Sequence, residues 1–223
     1  LKNCEETVCA VGPLVSVIPQ SDGYFSKYIS FFFLSPFFMG PSKYKNSFFN
    51  RNFEGTVDSI YLGFFKTEDL LSIGGFNHEL ERKQDIDLFR RLKELTGKNL
   101  FISNSLKAQY ILKHDTVYGI TKRSYIQGTY AGSDIGNIRM AHIIPFLALV
   151  FFVIISIFSF RAGLTIFLFY SLMSAFFGFY EKRNFLSLPL AIVIFSLVHS
   201  SYTLGNMIGL VGSFFSTTKR DSY

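Results

Sequence analysis

The sequence predicts an α/β domain followed by an α-helical membrane domain of about three spans. Residues 1–140 carry 17 Lys and Arg against 14 Asp and Glu, and short apolar stretches there alternate with polar ones. Beyond Arg139 the chain turns strongly apolar, and residues 143–160 and 164–180 contain no Asp, Glu, Lys or Arg. Each of these two runs is about long enough to cross a hydrocarbon core of roughly 30 Å.

Short elements are expected in the first part of the chain, from hydrophobic periodicity and turn residues. In order they are a helix end over 1–9, a strand over 8–18 broken at Gly12 and Pro13, a helix over 21–34 stopped by Pro36, a loop over 39–52, a buried strand over 57–65, a short helix over 66–71 and a glycine turn over 73–77. Apolar residues at helical spacing predict a helix over 85–95, with Gly97 as its stop. Two short strands, 99–104 and 107–112, are expected around a polar turn.

An amphipathic helix with basic and aromatic residues is predicted over 117–130, and with its linker to 138 it suits the bilayer interface. The last apolar segment contains Pro189 and His199, so it is either one tilted span or a helix broken near its middle. We favour one span. The membrane domain of residues 139–223 then has spans at about 143–160, 164–180 and 187–214. Packing against another helix is the role expected of Gly205 and Gly209.

Charge around the spans predicts the orientation. Lys182 and Arg183 lie between the second and third spans, whereas the first connection has only Arg161. The positive-inside rule therefore predicts a multi-pass protein of the cell membrane whose soluble part faces the cytoplasm. Three spans would leave the basic tail at residues 219–220 outside, and a broken third segment would remove that conflict.

Composition argues against several classes of function. The net charge is +6, but basic and acidic residues are interleaved without a Lys/Arg-rich run, which favours a surface beside anionic lipid over nucleic acid. Cys4 and Cys9 have no Cys or His partners at metal-ligand spacing and are expected to be reduced structural residues. The spans lack acidic and basic residues, which argues against a channel or transporter, and His199 is expected to bond a neighbouring helix.

The segment that suggests chemistry runs from a strand ended by Gly63, through the turn at Gly74 and Gly75, to an acidic helix start at Asp85. A carboxylate at a helix N-terminus is favoured by the helix dipole and by unpaired backbone N–H groups. Asp85 taken alone is therefore either a cap or a functional group. Asp87 and Arg91 are one turn apart and are expected to pair, which favours structural support over catalysis for both.

In order and spacing these residues resemble family 2 glycosyltransferases of the GT-A fold, especially the succinoglycan-type exopolysaccharide enzymes. That family has a glycine-ended strand, a Gly-Gly-Phe-Asp/Asn-Glu turn, a Glu-Asp or Gln-Asp pair, an Asp/Glu-Leu pair and an Arg one turn later. Gln84 and Asp85 match the first pair, Asp87 with Leu88 matches the second, and Arg91 falls on the arginine.

Three other segments carry the same resemblance, which spans most of the chain. Residues 35–40 are similar to the family's Ser-Pro-Phe-Gly-Val-Gly loop, although Phe38 replaces a glycine, and residues 11–13 are similar to the end of its Val-Gly-Gly-Pro strand. Arg123, Tyr125 and Gly128 resemble its Arg-Gln-Tyr-x-x-Tyr-Gly helix. The resemblance implies that residues 1–116 form the acceptor side of an incomplete GT-A catalytic domain.

The resemblance also implies a mechanism of direct displacement, inverting at the sugar. Asp85 would take a proton from the acceptor hydroxyl, and Gln84 would orient the acceptor or the base. Gly63, Gly74 and Gly75 would line the acceptor site. Lys113 and His114 lie near the family's basic residue beside the donor diphosphate, or simply on a solvated basic face.

Two parts of the family pattern have no counterpart in this sequence: the nucleotide-binding front half and its Asp-x-Asp metal motif. Asp85-Ile86-Asp87 has the letters of that motif but opens a helix after the glycine turn. The complete enzyme is expected to use a divalent cation, Mg or Mn, a nucleotide-sugar donor and a lipid-linked or polysaccharide acceptor. This chain alone, as a fragment or one half of a split enzyme, is expected to have little or no activity. The alternative is a non-catalytic membrane subunit of a polysaccharide assembly complex.

Overall fold

The protein is of mixed α/β type and is described here from a computed structural model that covers residues 7–40, 52–80, 84–133, 140–182 and 184–220. In chain order the elements are β1 (Val8–Pro19), α1 (Tyr24–Leu34), α2 (Pro36–Met39), β2 (Gly55–Val57), β3 (Phe64–Phe65), α3 (Thr67–Ser72), α4 (Gln84–Thr96), β4 (Asn99–Leu112), α5 (Val117–Ser133), α6 (Met140–Phe158), α7 (Phe160–Lys182) and α8 (Ser187–Arg220).

The chain divides into two compact units. The sheet unit comprises Leu1–Val17 and Pro41–Tyr110, and the helical unit comprises Ile18–Gly40 and Ile111–Tyr223. The helical unit is therefore built from two separate stretches of sequence. It includes α1 and α2, which precede most of the sheet unit in the chain.

The four strands form one sheet in the order β2-β4-β1-β3. β2 is antiparallel to β4, with Val57 opposite Leu100, and β3 is antiparallel to β1. The N–H of Asn99 donates to the Thr7 carbonyl. Nine residues further along both segments, the Ser16 hydroxyl donates to the Ala108 carbonyl. β1 and β4, the two long strands, therefore run side by side in the same direction.

The core of the sheet unit lies between the sheet and α4. Leu88, Phe89 and Leu92 face the sheet because they recur at helical spacing, and all three are buried. The Phe89 ring stacks on Phe65 at a centroid distance of 6.2 Å. Full burial of one such side chain contributes about 1.5–3 kcal/mol, so this one face of α4 holds the helix on the sheet.

Several local predictions for the sheet unit are confirmed. The predicted short helix over 66–71 is α3, and the helix over 85–95 is α4. Gly74, Gly75 and Gly97 have φ of +74°, +69° and +65°, as the predicted glycine turn and helix stop require. The predicted helix end over 1–9 and the loop over 39–52 lie largely outside the described residues.

Three details of the strand predictions were wrong. The strand predicted over 57–65 is two short strands, β2 and β3, because the chain turns between them and Leu62 has a φ of +54°. The two strands predicted over 99–104 and 107–112 are one strand, β4, in which the Ser103 and Ser105 hydroxyls bond each other at 2.8 Å along one face. The break predicted in the first strand is absent, since β1 continues through Gly12 and Pro13.

In the helical unit, α7 and α8 each contain a stretch long and apolar enough to cross a membrane, Phe160–Glu181 and Ser187–Ser213. The apolar stretch described in α6, Ile144–Phe158, is shorter. α8 runs unbroken past Pro189 and His199, so the break considered for the last apolar segment is absent. Pro189 lies in its first turn, where a missing backbone N–H costs no hydrogen bond.

Two helices of the helical unit, α5 and α8, are in close contact, and each contributes two glycines to that contact. A Cβ atom at Gly128 or Gly132 would collide with the backbone of α8, and one at Gly205 or Gly209 would collide with the backbone of α5. We call these four residues the glycine seam. The predicted packing role of Gly205 and Gly209 is confirmed. Residue numbers rise together along the seam, so α5 and α8 are parallel.

The N-terminal half of α8 packs on α1 and α2 through aromatic rings. Phe32 is fully buried and meets Phe195 edge to face at 5.2 Å, and Phe37 lies 5.2 Å from the His199 ring. His199 bonds α2 and α7, as expected of a histidine that joins neighbouring helices: its Nε2 donates to the Phe37 carbonyl, and its Nδ1 lies 2.9 Å from the Tyr170 hydroxyl.

Candidate functional site

A polar cavity of about 500 Å³ lies in the sheet unit between the glycine turn and the first turns of α4. Its lining residues combine backbone from the turn with charged and aromatic side chains: Gly74, Phe76, Asn77, His78, Glu79, Asp87, Arg90 and Arg91. The turn can adopt this shape because Gly74 and Gly75 both have positive φ, which other residues rarely adopt. The structure therefore brings Gly74, Asp87 and Arg91 of the predicted site together around one cavity.

Arg91 fixes the glycine turn to α4. Its Nη1 donates to the Ile73 carbonyl at 2.6 Å and its Nη2 to the Gly75 carbonyl at 2.7 Å, while its Nε donates to Asp87 at 2.8 Å. A guanidinium suits this task because it presents several donors in one rigid plane. We call this set of three bonds the arginine clamp.

Asp87 is engaged by two arginines, Arg91 and Arg90 at 2.8 and 3.0 Å. The predicted pairing of Asp87 with Arg91 is thus observed. The hydrogen bond from Arg91, followed by that from Arg90, holds the pKa of Asp87 below its ordinary value. A carboxylate held in this way is a weak proton acceptor, which fits a supporting role.

Asp85 differs from Asp87 although it lies in the same first helical turn. Its side chain is exposed, and within the part of the chain that the structure describes no hydrogen bond or ion pair engages its carboxylate. It is not among the residues that line the polar cavity. Asp85 therefore has no partner among the described residues, and it lies two positions before Asp87 in the same turn of α4.

The other two candidates for acceptor binding, Gln84 and Gly63, are held by local packing. The Gln84 amide donates to the Leu80 carbonyl at 2.5 Å, which ties the start of α4 to the preceding segment. A Cβ at Gly63 would approach Ile60 Cδ1 to 2.5 Å and the Phe65 ring to 2.6 Å, so these side chains would have to shift to admit one. Neither residue lines the polar cavity.

Lys113 and His114 belong to the helical unit, between β4 and α5, and both are exposed. The adjacent residue, Asp115, was not singled out from the sequence. It is buried and accepts from the Ser21 N–H at 2.7 Å and from the Ser21 hydroxyl at 2.9 Å. Burial alone would raise the pKa of Asp115, but these bonds outweigh it and the pKa lies below its ordinary value.

Of the predicted α5 motif, Arg123 lies over the Phe33 ring at 5.0 Å and Gly128 belongs to the glycine seam. The motif therefore has structural contacts within the helical unit. Among the residues that the structure describes, no group of three or more His, Cys, Asp or Glu is arranged to hold a metal ion. Cys9 is a free, buried thiol.

No family model, no curated protein and no solved structure matches this chain.

Proposed function

We propose that the chain is the acceptor-side and membrane part of a glycosyltransferase similar to family 2 enzymes of the GT-A fold. It transfers a sugar from a nucleotide-sugar to a lipid-linked or polysaccharide acceptor at the cytoplasmic face, with inversion at the sugar. In this proposal α6 joins α7 and α8 as a third span, and a divalent cation, Mg or Mn, acts on the donor side of the complete enzyme.

The observation that supports this function is the contrast between Asp85 and Asp87. The two carboxylates share one helical turn, but only Asp87 is neutralised by arginines. A general base must accept a proton from the acceptor hydroxyl at close range, and of these two carboxylates Asp85 is the one that no described arginine or lysine engages. The arginine clamp would keep the adjacent glycine turn in place while the acceptor binds.

The test is a transfer assay on membranes that carry the full-length gene product, with radiolabelled nucleotide-sugars and a membrane lipid extract as acceptor. We expect Asp85→Asn to lower the rate by about 100-fold or more, because general base catalysis contributes roughly 10²–10⁴-fold. Expression and thermal stability should not change, since the side chain is exposed.

Glu68→Gln is the matched control, because Glu68 is an exposed acidic residue in the first turn of α3. It should retain the full transfer rate. Undiminished transfer by Asp85→Asn at normal expression would remove Asp85 as the base.

A second candidate function is that of a non-catalytic subunit of a polysaccharide assembly complex. Leu62 and Phe64 are 60% and 67% exposed on either side of Gly63, and they are the side chains that such a partner would cover. The two functions are separated by polysaccharide yield in cells. If the chain is a subunit, Asp85→Asn should keep the polysaccharide yield and Phe64→Ser should lower it. If the chain is a transferase, Asp85→Asn should lower the yield and Phe64→Ser should keep it.

A further inference from the structure

An apolar cavity of about 450 Å³ lies in the helical unit between α2, α6, α7 and α8. Its volume falls within the range of roughly 300–1,000 Å³ that is usual for small-molecule sites. Most of its lining is hydrocarbon, from Phe37, Pro145, Ala148, Leu149, Phe152, Ile166 and Phe167. We propose that this cavity binds one acyl chain of a bilayer phospholipid.

The polar groups of the lining are the first argument for an acyl chain. Five polar residues line the cavity: Tyr170, Ser196, His199, Ser200 and Thr203. The His199 Nε2 must donate to the Phe37 carbonyl at 2.8 Å, so in the neutral ring Nδ1 accepts from the Tyr170 hydroxyl at 2.9 Å. This pair uses its polar atoms within the protein.

Two of the three remaining hydroxyls are also engaged by their own helix. Ser196 donates to the Ile192 carbonyl at 2.6 Å, and Thr203 donates to the His199 carbonyl at 2.9 Å. Of the five polar residues in the cavity lining, Ser200 is therefore the one whose hydroxyl has no described hydrogen-bond partner. A lipid headgroup would lose its hydration here and would find almost no hydrogen-bond partners, whereas a hydrocarbon chain has no hydrogen bonds to lose.

The position of the cavity along the helices is the second argument. Tyr170 lies near the middle of Phe160–Glu181 and His199 near the middle of Ser187–Ser213, the two stretches long enough to cross a bilayer. In a bilayer crossed by these two stretches, the cavity therefore lies at the depth of the hydrocarbon core. Apolar cavities exclude water and accept apolar ligands, and at this depth the available apolar ligand is a lipid chain.

The experiment uses the absence of Trp from the sequence, which makes any introduced Trp the sole indole. Phe167→Trp places the probe in the cavity wall, at a side chain that is 47% exposed. Phe169→Trp places it on the same helix at a residue that is 65% exposed and does not line the cavity. Each variant is purified in detergent micelles and receives one molar equivalent of phosphatidylcholine brominated in its acyl chains. We expect Phe167→Trp to lose most of its fluorescence and Phe169→Trp to lose little.

Equal quenching of the two variants, or no quenching of either, would overturn the proposal. Unbrominated phosphatidylcholine should restore the fluorescence, and water-soluble glycerophosphocholine should not. Restoration by the headgroup would contradict an acyl-chain site. If Phe167→Trp fails to fold, Phe152→Trp in the wall and Phe151→Trp, which is 65% exposed, form a second pair on α6. The proposal does not depend on the transferase function.

Discussion

In the sheet unit one guanidinium joins the glycine turn to α4, whereas in the helical unit α5 and α8 meet at glycines with backbone against backbone. The arginine clamp is made of charged hydrogen bonds, so it responds to charge and to pH. The glycine seam depends on the lack of side-chain volume. The two regions should therefore fail under different substitutions, and each can be tested without disturbing the other.

The largest effect is expected at the glycine seam. A single added methyl group in Gly205→Ala would collide with the backbone of Tyr125 and Thr129, which cannot move aside as a flexible side chain would. We expect a loss of about 3 kcal/mol in stability, at the upper end of the cost of overpacking. The measurement is thermal unfolding of the detergent-solubilised protein.

Gly212→Ala is the control in the same helix, because a Cβ there meets nothing within 4 Å. Its stability should stay the same or rise by up to about 1 kcal/mol, since Ala favours the helix. Equal stability of Gly205→Ala and Gly212→Ala would show that the seam tolerates separation of the helices.

A smaller effect is expected at the arginine clamp. Arg91→Met removes the bonds to the Ile73 and Gly75 carbonyls and one bond to Asp87, and should destabilise the turn locally by about 2 kcal/mol. Hydrogen exchange measured by mass spectrometry should show faster exchange at the turn amides of Gly74 and Gly75, which donate to the carbonyls of Leu71 and Leu70.

The neighbouring substitution, Arg90→Met, is the matched control. Arg90 also bonds Asp87, but its side chain is 58% exposed and it does not reach the glycine turn. An exposed ion pair of this kind contributes about 0–1 kcal/mol. Exchange at the turn should therefore change little, and an effect as large as that of Arg91→Met would mean that general charge, rather than the clamp, holds the turn.

The smallest effect is expected from acid acting on Asp87. Because its pKa is lower in the folded protein than in the unfolded chain, its contribution is complete above its ordinary pKa and disappears as the pH falls through the folded value. Exchange protection of the glycine turn should fall below about pH 4. Asp87→Asn should abolish this pH dependence. If protection of the turn in Asp87→Asn still falls with pH as in the unsubstituted protein, another titrating group is responsible.

Features fixed by neighbouring residues could be predicted from the sequence. The apolar spacing in 85–95 and Gly97 after it determine α4 and its end, and the spacing of Asp87 and Arg91 was enough to predict their pairing. The strand over 57–65 was not predictable in its bounds, because its apolar residues suit a strand while the backbone turns at Leu62.

Contacts between distant parts of the chain could not be predicted in the same way. The spacing of Gly205 and Gly209 predicted a close helix contact, but no local feature of the sequence identifies Gly128 and Gly132 as the partners. Asp115 was missed because its bonds to Ser21 span 94 positions. The carbonyls that Arg91 binds were likewise unpredictable, since tertiary packing of the turn brings them within reach.

The helical unit is assembled from two stretches of chain, and this affects the order in which the protein can fold. Phe37 and His199, which bond each other, are 162 positions apart. At a synthesis rate of about 5–20 residues per second, roughly 8–30 s pass between the synthesis of Phe37 and that of His199. During that interval the rings of the first stretch have no partner from α8, so the helical unit can be completed only after the last helix has been synthesised.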